Sequence, residues 1–407
     1  MDRLSSHTYR QDLDRVASLN LDWDLLRDST VILSGASGAI GTFLVDVLMA
    51  RNNQYGMNCT VHALARTLPS LLQQFSQYDG YPNLTMSAVD LGDGMVTSQS
   101  PASDNVPLPS EPADLAQMEP LPPPGKPAPT PTPSAYFAPA SPPPTAPIRS
   151  LPIASADYVI HAASNTHPVA YASDPVGTIM VNVEGTRTML ELALRTHARR
   201  TLFLSTVEIY GENRGDVDRF RESDLGYIDS NTLRAGYPES KRTGEALCQA
   251  YREQYGADVV IVRLPRVFGP TVRADDTKAM SQFLTNAVAG RDVVLKSAGE
   301  QFYSYCHVAD AVSGILTCLM AGTSGEAYNV AHPSCDIHLK DLARLVAHTV
   351  GQQVVFDLPG AVESRGFSTA SLAVMDGSKL AGLGWQPLYT ISDGVERTMT
   401  VLKETRT

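Results

Sequence analysis

The stretch Val31-Ile32-Leu33-Ser34-Gly35-Ala36-Ser37-Gly38-Ala39-Ile40-Gly41 carries the strongest fold signal in this chain of 407 residues. Its apolar, β-branched start predicts a strand buried on both faces, and a helical pattern over residues 39–52 comes directly after it. Glycines between a strand and a helix let a pyrophosphate approach the amides at the helix N-terminus. The spacing is G-x-x-G-x-x-G rather than G-x-G-x-x-G, and glycine-rich turns also occur for purely structural reasons. We expect a dinucleotide to contact Gly35, Ser37, Gly38, Ala39, Ile40 and Gly41.

Strand-like and helical segments alternate through much of the remaining chain. Further strand-like runs occupy residues 59–65, 84–90, 157–163, 200–206 and 257–264, and helical patterns occupy 176–198 and 238–255. This alternation predicts an α/β protein with a Rossmann-type, doubly wound parallel sheet. After about Pro265 the segments become short and mixed, which predicts a smaller C-terminal α/β substrate domain. We therefore divide the chain into an N-terminal extension (1–29), a Rossmann NAD-binding domain (30–95 and 153–264), an insertion (96–152) and a substrate-binding domain (265–407).

The insertion is rich in proline. It holds 18 of the 28 prolines, in runs such as LPPPGKPAPTPTP. Proline fixes φ and lacks a backbone donor, so we expect an extended or disordered segment without a catalytic role. A docking site for a proline-recognising partner is the alternative.

The overall composition excludes several classes of partner. A net charge of −11 argues against binding to nucleic acids or anionic membranes. No run approaches ~18 consecutive apolar residues, so no membrane span is expected. The N-terminus lacks the apolar core of a secretory signal. Five cysteines without C-x-x-C spacing indicate reduced thiols and no metal site. We expect a soluble, cytoplasmic enzyme.

The choice between NAD and NADP depends on the end of the second strand. Rossmann sites usually place an acidic residue there, but this chain has Arg66. Arg66 could bind a 2′-phosphate of NADP or simply be solvated, and we take NAD as the expected cofactor. Asp90, which closes the third strand, is a candidate adenine contact or an ordinary turn residue.

Two short segments predict acid–base chemistry. Ser205-Thr206-Val207-Glu208-Ile209-Tyr210-Gly211 leaves the fifth strand, and Tyr237-Pro238-Glu239-Ser240-Lys241 enters a helix with proline near the first position. Lys241 lies one turn beyond Tyr237. A lysine cation and an oxidised nicotinamide would both favour the tyrosinate, and lowering its pKa by roughly three units would make Tyr237 a competent general base. Thr206 would share the substrate hydroxyl.

These segments, taken with DYVIHAAS (157–164), Asn182-Val183-Glu184-Gly185-Thr186 and RLPRVFGP (263–270), resemble the extended short-chain dehydrogenase/reductases, specifically the NAD-dependent epimerase/dehydratase family acting on nucleotide sugars. The resemblance covers roughly residues 28–95 and 153–350. It implies dimerisation through the helices at 176–198 and 238–255, with a nucleotide-diphosphate sugar as substrate. It also implies further cofactor contacts, namely Leu91, Ala162, Ala163, Ser164, Asn182, Ser205, Tyr237 and Lys241.

The family's first step is oxidation at sugar C4, and Thr206-Val207-Glu208 helps to decide the steps after it. Dehydratases of the dTDP-glucose type carry Thr-Asp-Glu there, and Val207 cannot donate a proton. Glu208 fits the Thr-Ser-Glu pattern seen in UDP-glucuronate decarboxylases and in GDP-mannose 4,6-dehydratases. Decarboxylation is the easier step to reconcile with Val207, because loss of carbon dioxide from a 4-keto sugar requires no acid for a leaving hydroxyl. We therefore expect a UDP-glucuronate decarboxylase-like lyase. A 4,6-dehydratase, a 4-epimerase and an inactive dinucleotide-sensing scaffold remain alternatives. A buried, unpaired glutamate would be costly, which favours a chemical role for Glu208 over a structural one.

The segments expected to bind substrate depart from the family pattern. Tyr303 stands where the run G-x-Q-x-R has an arginine, and Arg266 stands where an asparagine is common. We expect Arg263 or Arg266 to contact phosphate instead, since guanidinium groups suit that anion. Arg263, Arg266 and Tyr303 are the candidate substrate-binding residues.

Overall fold

The computed structural model describes residues 2–92, 151, 153–166, 173–273, 275–357 and 370–405. Nearly all of the predicted insertion (96–152) lies outside the described residues. The expectation of an extended or disordered segment there stays a prediction.

The main layer is a seven-stranded sheet in the order β10-β6-β5-β4-β1-β2-β3, with every neighbouring pair parallel. Its strands are β1 (Thr30–Ser34), β2 (Thr60–Ala65), β3 (Leu84–Ala88), β4 (Tyr158–His161), β5 (Arg200–Thr206), β6 (Val259–Leu264) and β10 (Ala327–Asn329). The six strands predicted from apolar runs are present within about two residues of their expected bounds. The chain order reverses between β1 and β4, and parallel sheets bind ligands at such a switch point.

Helices cover both faces of this sheet. Those before residue 256 are α1 (His7–Ala17), α2 (Ala39–Tyr55), α3 (Leu68–Gln74), α4 (Pro175–Arg195) and α5 (Gly236–Tyr255). Helices α4 and α5 pack against each other on one face. On the other face α2 packs against α1 and against α7 (Val308–Ala321). The doubly wound Rossmann-type layer is therefore confirmed.

The C-terminal region supplies a second, smaller layer. Strand β9 (Phe302–His307) pairs with β7 (Arg266–Phe268), β11 (Asp336–His338) and β13 (Leu372–Ala373), and β8 (Val293–Leu295) pairs with β12 (Val354–Phe356). Helices of this part are α6 (Ala279–Val288), α8 (Leu339–His348), α9 (Ser378–Ala381) and α10 (Ile391–Glu404). A separate apolar core lies between these elements.

The boundary placed after residue 264 does not separate the two layers. Strand β10 extends the large sheet by pairing with β6, and α7 packs on the same sheet. The N-terminal extension is also part of the fold, because α1 packs on both α2 and α10. These segments lack the apolar strand runs by which the sheet was predicted. Among the described residues, no helix combines the length and apolar character needed to cross a bilayer.

Candidate functional site

A cavity of about 500 Å³ opens at the C-terminal ends of the central strands. One wall is formed by the glycine turn after β1 and by the ends of β2, β4 and β5. The opposite wall comes from the C-terminal region, from residues around β7, α6, β8 and β9. The site therefore lies between the two layers, at the edge where a parallel sheet is expected to bind its ligand.

The glycine turn is fixed by backbone geometry. Gly35 has φ +71°, and a Cβ placed on it would lie 2.7 Å from the carbonyl carbon of Ala162 at the end of β4. A Cβ on Gly41 would lie 2.4 Å from the Gly35 carbonyl oxygen. Gly38 precedes α2 without a side-chain cap, so the first amides of the helix are left for an external acceptor. The turn thus has the shape and the free donors that an anionic ligand requires.

Most of the predicted cofactor residues line this cavity. They are Gly35, Ser37, Gly38, Ala39, Ile40, Gly41, Arg66, Leu91, Ala162, Ala163, Ser164, Ser205, Tyr237 and Lys241. Arg66 is exposed at the end of β2, where an adenosine ribose would lie.

Two predicted contacts are placed elsewhere. The Asp90 carboxylate accepts from the Gly92 amide at 2.9 Å, which is the turn role considered as its alternative. Asn182 is fully buried and accepts from Ser164 Oγ at 2.7 Å, while its Nδ2 donates to Ser240 Oγ at 2.9 Å. Neither residue lines the cavity. Asn182 instead ties the end of β4 to the first turn of α5.

The predicted catalytic residues converge in the middle of the cavity. Thr206 ends β5, and Tyr237 is the second residue of α5, which begins at Gly236, so proline is its third residue. The hydroxyl of Tyr237 hydrogen-bonds with the side chains of Thr206 and Ser164. Lys241 Nζ donates to the Leu204 carbonyl oxygen at 2.9 Å. Strand β5 and the start of α5 therefore hold all three groups together.

The electrostatics of Tyr237 differ from the expectation. In the chain alone its pKa is raised to about 12, mainly by burial and then by the Glu208 carboxylate. Hydrogen bonds from Thr206 and Ser164 and the charge of Arg234 oppose that rise. Burial also lowers the pKa of Lys241 to about 8. The expectation of a lowered tyrosine pKa counted the favourable cations and omitted the desolvation of the tyrosinate.

Glu208 is paired rather than isolated. Its Oε2 accepts from Arg234 Nη2 at 2.7 Å, and its Oε1 lies 3.6 Å from Arg266 Nη2. The cost of an unpaired buried glutamate therefore gives no reason to assign Glu208 a chemical task. The position of Glu208 in the cavity wall, beside Tyr237, is the remaining support for such a task.

The prediction that Arg263 binds the substrate phosphate is wrong. Its guanidinium forms a two-point pair with Glu245, at 2.7 and 3.0 Å, and also donates to Tyr210 Oη at 2.9 Å. Arg263 lies within β6, and its buried side chain does not line the cavity. A buried guanidinium with a complete set of partners is not available to a phosphate.

Arg266 and Tyr303 both line the cavity, and their role in binding substrate stays a prediction. The Arg266 guanidinium carbon stacks 3.4 Å from the centre of the Tyr303 ring. The Tyr303 hydroxyl donates to the Ala370 carbonyl oxygen at 2.7 Å. The two departures from the family pattern are therefore one physical unit.

Arg234 is one lining residue that the sequence analysis missed. It lies in a short 3₁₀ turn, Leu233–Ala235, immediately before α5, and it lines the cavity between Glu208 and Tyr237. A basic residue three positions before the tyrosine was a signal available in the sequence. Its meaning depended on the Glu208 contact.

Known proteins share both the sequence pattern and this arrangement of elements. The profile of the NAD dependent epimerase/dehydratase family matches residues 146–331. UDP-glucuronic acid decarboxylase 6 of Arabidopsis thaliana is 31% identical over 239 residues, which span 59% of this chain and 67% of the relative. The chain belongs to the NAD-dependent epimerase/dehydratase family. UDP-glucuronic acid decarboxylase 1 of Xenopus tropicalis is likewise 31% identical. That match spans 60% of this chain but only 56% of the length of the relative.

Solved structures of this fold superpose on nearly the whole of this chain. A dTDP-glucose 4,6-dehydratase from Streptomyces venezuelae, crystallised with NAD, superposes with a TM-score of 0.69 at 20% identity and covers 93% of this chain and 98% of its own. A UDP-glucuronic acid 4-epimerase from Bacillus cereus, crystallised with UDP-glucuronic acid and NAD, gives 0.66 at 17% identity and covers 92% and 99%. These likenesses establish the extended short-chain dehydrogenase/reductase fold.

Proposed function

We propose that this family member is an NAD-dependent lyase that oxidises C4 of UDP-glucuronate and then releases the C6 carboxylate as carbon dioxide. The observation that carries the proposal is the convergence of Thr206, Tyr237 and Lys241 with the glycine turn in one cavity, with Glu208 held between two arginines. Relatives named UDP-glucuronic acid decarboxylase support the choice of reaction.

The residues present fit a dinucleotide. The left-handed Gly35, the close approach of Gly41 and the uncapped start of α2 provide a cradle in which backbone amides are available to a pyrophosphate. Lys241 and Tyr237 stand at the other end of the same wall. Bound NAD would supply a hydride acceptor and, in its oxidised form, a positive charge. We propose NAD rather than NADP, and Arg66 is the residue on which this choice depends.

The chain's own groups account for the proton movements. Tyr237 removes the C4 hydroxyl proton while the C4 hydrogen leaves as hydride, and Thr206 orients that hydroxyl through the hydrogen bond it shares with Tyr237. Once C4 is a ketone, the C5–C6 bond breaks, carbon dioxide leaves and the bonding electrons pass to the C4 oxygen. Tyr237, now carrying the proton, hydrogen-bonds that oxygen as its charge develops. C5 takes a proton from solvent, and bound NAD would give the hydride back to C4 as Tyr237 returns its proton to the C4 oxygen, which restores the starting state of Tyr237. Glu208 positions the ring.

Mass spectrometry of separate incubations with UDP-glucuronate, UDP-glucose, dTDP-glucose and GDP-mannose tests the proposal. We expect one product, from UDP-glucuronate, lighter by one carbon dioxide. A product lighter by one water would indicate a dehydratase, and an isomer of unchanged mass would indicate an epimerase. Unchanged substrates in the presence of bound dinucleotide would indicate a sensor. Each of these three results would refute the decarboxylase.

We further propose that the protein forms a homodimer through α4 and α5 in a reducing compartment. Three apolar side chains on α4 are exposed, Val176 by 69%, Ile179 by 38% and Met180 by 40%. Exposed apolar patches of this kind mark interaction surfaces. All five cysteines are free and buried. Light scattering of the full chain and of Met180→Asp tests the dimer, since the charge should dissociate it.

A further inference from the structure

The charges beside Tyr237 do not balance. Glu208 is the carboxylate shared by Arg234 and Arg266, at 2.7 and 3.6 Å. Arginine keeps its proton at any physiological pH, so this cluster of three side chains carries one net positive charge. A cavity with such an excess favours an anionic ligand group at that point.

Of the two arginines, Arg266 has the weaker contact with Glu208. Arg234 makes a hydrogen bond to Glu208, but the 3.6 Å separation leaves Arg266 with only an ionic contact to it. Within the described ranges, the buried Nη1 of Arg266 has no hydrogen-bond partner. A buried donor without an acceptor is costly, and a ligand oxygen would remove that cost.

Arg266 is also held in place before any ligand arrives. Its guanidinium stacks on the Tyr303 ring, with 3.4 Å between Cζ and the ring centre, and the Tyr303 hydroxyl is anchored on the Ala370 carbonyl. A stacked guanidinium presents its N–H groups in its own plane, which suits the two oxygens of a carboxylate. Little side-chain freedom remains to be lost on binding.

The position of Arg266 identifies the part of the substrate it meets. In the proposed reaction Tyr237 acts on the C4 hydroxyl, and a sugar carboxylate is attached to C5, the neighbour of C4. The diphosphate is attached to C1, across the ring. Two other cavity cations already have carboxylate partners, because Arg273 pairs with Asp275 at 2.8 Å and Lys278 pairs with Asp276 at 3.0 Å. Arg266 contacts Glu208, which pairs with Arg234 beside the Tyr237 ring, so Arg266 lies on the C4 side of the proposed substrate position.

We propose that Arg266, stacked on Tyr303, binds the carboxylate of the sugar ring and thereby selects acidic sugar nucleotides over neutral ones. This inference rests on the proposed function for its assignment of C4 to Tyr237. It replaces the phosphate contact expected from the sequence.

Calorimetric titration of the full chain, saturated with NAD and carrying Tyr237→Phe so that UDP-glucuronate is not consumed, tests the proposal with UDP-glucuronate, UDP-glucose and UDP. For Arg266→Met, which keeps much of the stem for stacking, we expect UDP-glucuronate to bind about tenfold to a hundredfold more weakly. Affinities for UDP-glucose and UDP should change by less than about threefold. Arg266→Lys should recover part of the discrimination. Arg344→Met, which removes an exposed charge on α8, is the matched control and should leave all three affinities unchanged.

Equal weakening of all three ligands would place Arg266 on the diphosphate and overturn the proposal. Unchanged binding of UDP-glucuronate would also overturn it. Retained UDP binding demonstrates that the variant is folded, and Arg266→Gln repeats the test if Arg266→Met fails by that criterion. The proposed function fails separately: wild-type protein that binds UDP-glucuronate through Arg266 but releases no carbon dioxide would retain the carboxylate site without the decarboxylase.

Discussion

Replacing Arg234 with methionine should move the pH dependence of catalysis to higher pH. The Arg234 guanidinium carbon lies 6.0 Å from the centre of the Tyr237 ring, and its charge lowers the pKa of Tyr237. Coulomb's law at an effective dielectric constant of about 20 gives about 3 kcal/mol at this distance, or about two pKa units. The side chain is 14% exposed, so water reduces the effect. In Arg234→Met we expect the acidic limb of the pH profile of kcat/KM to shift to higher pH by about one to two units.

The assay is carbon dioxide release from UDP-glucuronate across pH with saturating NAD. Tyr237 must lose its proton to act, so activity falls tenfold per pH unit below its pKa. At neutral pH, Arg234→Met should therefore lose about tenfold to a hundredfold in kcat/KM and recover at alkaline pH. Glu208→Gln is the opposite perturbation. Because Glu208 raises the pKa of Tyr237, its neutralisation should move the acidic limb to lower pH, whatever happens to the maximal rate.

Arg199→Met serves as the control, since that side chain is 66% exposed and pairs with Asp157 outside the cavity. Its profile should match that of the wild type. A uniform loss of activity in Arg234→Met, with the limb in its original place, would mean that Arg234 only holds structure. Limbs that move in the same direction in Arg234→Met and Glu208→Gln would contradict the electrostatic reasoning as a whole.

Three further predictions concern the cofactor wall. Burial lowers the pKa of Lys241 from 10.5 to about 8, so protonated Lys241 destabilises the fold most below pH 8 and less as the pH rises. In urea unfolding at pH 7, the free energy of unfolding of Lys241→Met should exceed that of the wild type by about 2 kcal/mol, once the lost hydrogen bond to Leu204 is subtracted. Turnover should be abolished, and the gain in stability should fade toward pH 10. A gain that stays constant across pH would refute burial of the charge as the cause. Gly35→Ala should cost more than about 2 kcal/mol of stability and weaken NAD binding. Gly56 has a similar φ, but a Cβ added there would have no atom within 4 Å, so Gly56→Ala should cost only about 1 kcal/mol. Equal losses in the two variants would exclude the clash with Ala162. Ultraviolet titration of wild type against Tyr237→Phe should place the pKa of Tyr237 near 12 without NAD and lower with it; an unchanged value with NAD would exclude the nicotinamide charge as the activating group.

The central layer was predictable from the sequence because its signals are local. Apolar runs such as 259–264 and the glycines after β1 specify buried strands and a tight turn without reference to distant residues. Strand β10 was not predictable in this way. It has three residues, and it joins the sheet only because α7 returns the chain to the open edge beside β6.

The site divides along the same line. Thr206, Tyr237 and Lys241 have fixed spacings on β5 and α5, so their convergence could be expected. The fate of an arginine depends on which carboxylate it meets. Arg263 meets Glu245 within the fold, whereas Arg266, just beyond the end of β6, faces the cavity. The two arginines are only three positions apart, yet one has a structural role and the other lines the cavity. The sequence pattern predicted the same phosphate contact for both.

The chemistry of the proposed reaction limits what Arg266 can do for its rate. A guanidinium stabilises a carboxylate, and decarboxylation removes the carboxylate's charge as carbon dioxide forms. Arg266 therefore stabilises the bound substrate more than the transition state of carbon–carbon cleavage, so it should contribute to binding and not to the maximal rate of that step. For Arg266→Met we expect KM for UDP-glucuronate to rise with the loss of affinity, while kcat stays unchanged or increases where cleavage is rate-limiting. A fall in kcat at unchanged KM would mean that Arg266 acts on the oxyanion at C4 instead, and the carboxylate assignment would have to be abandoned.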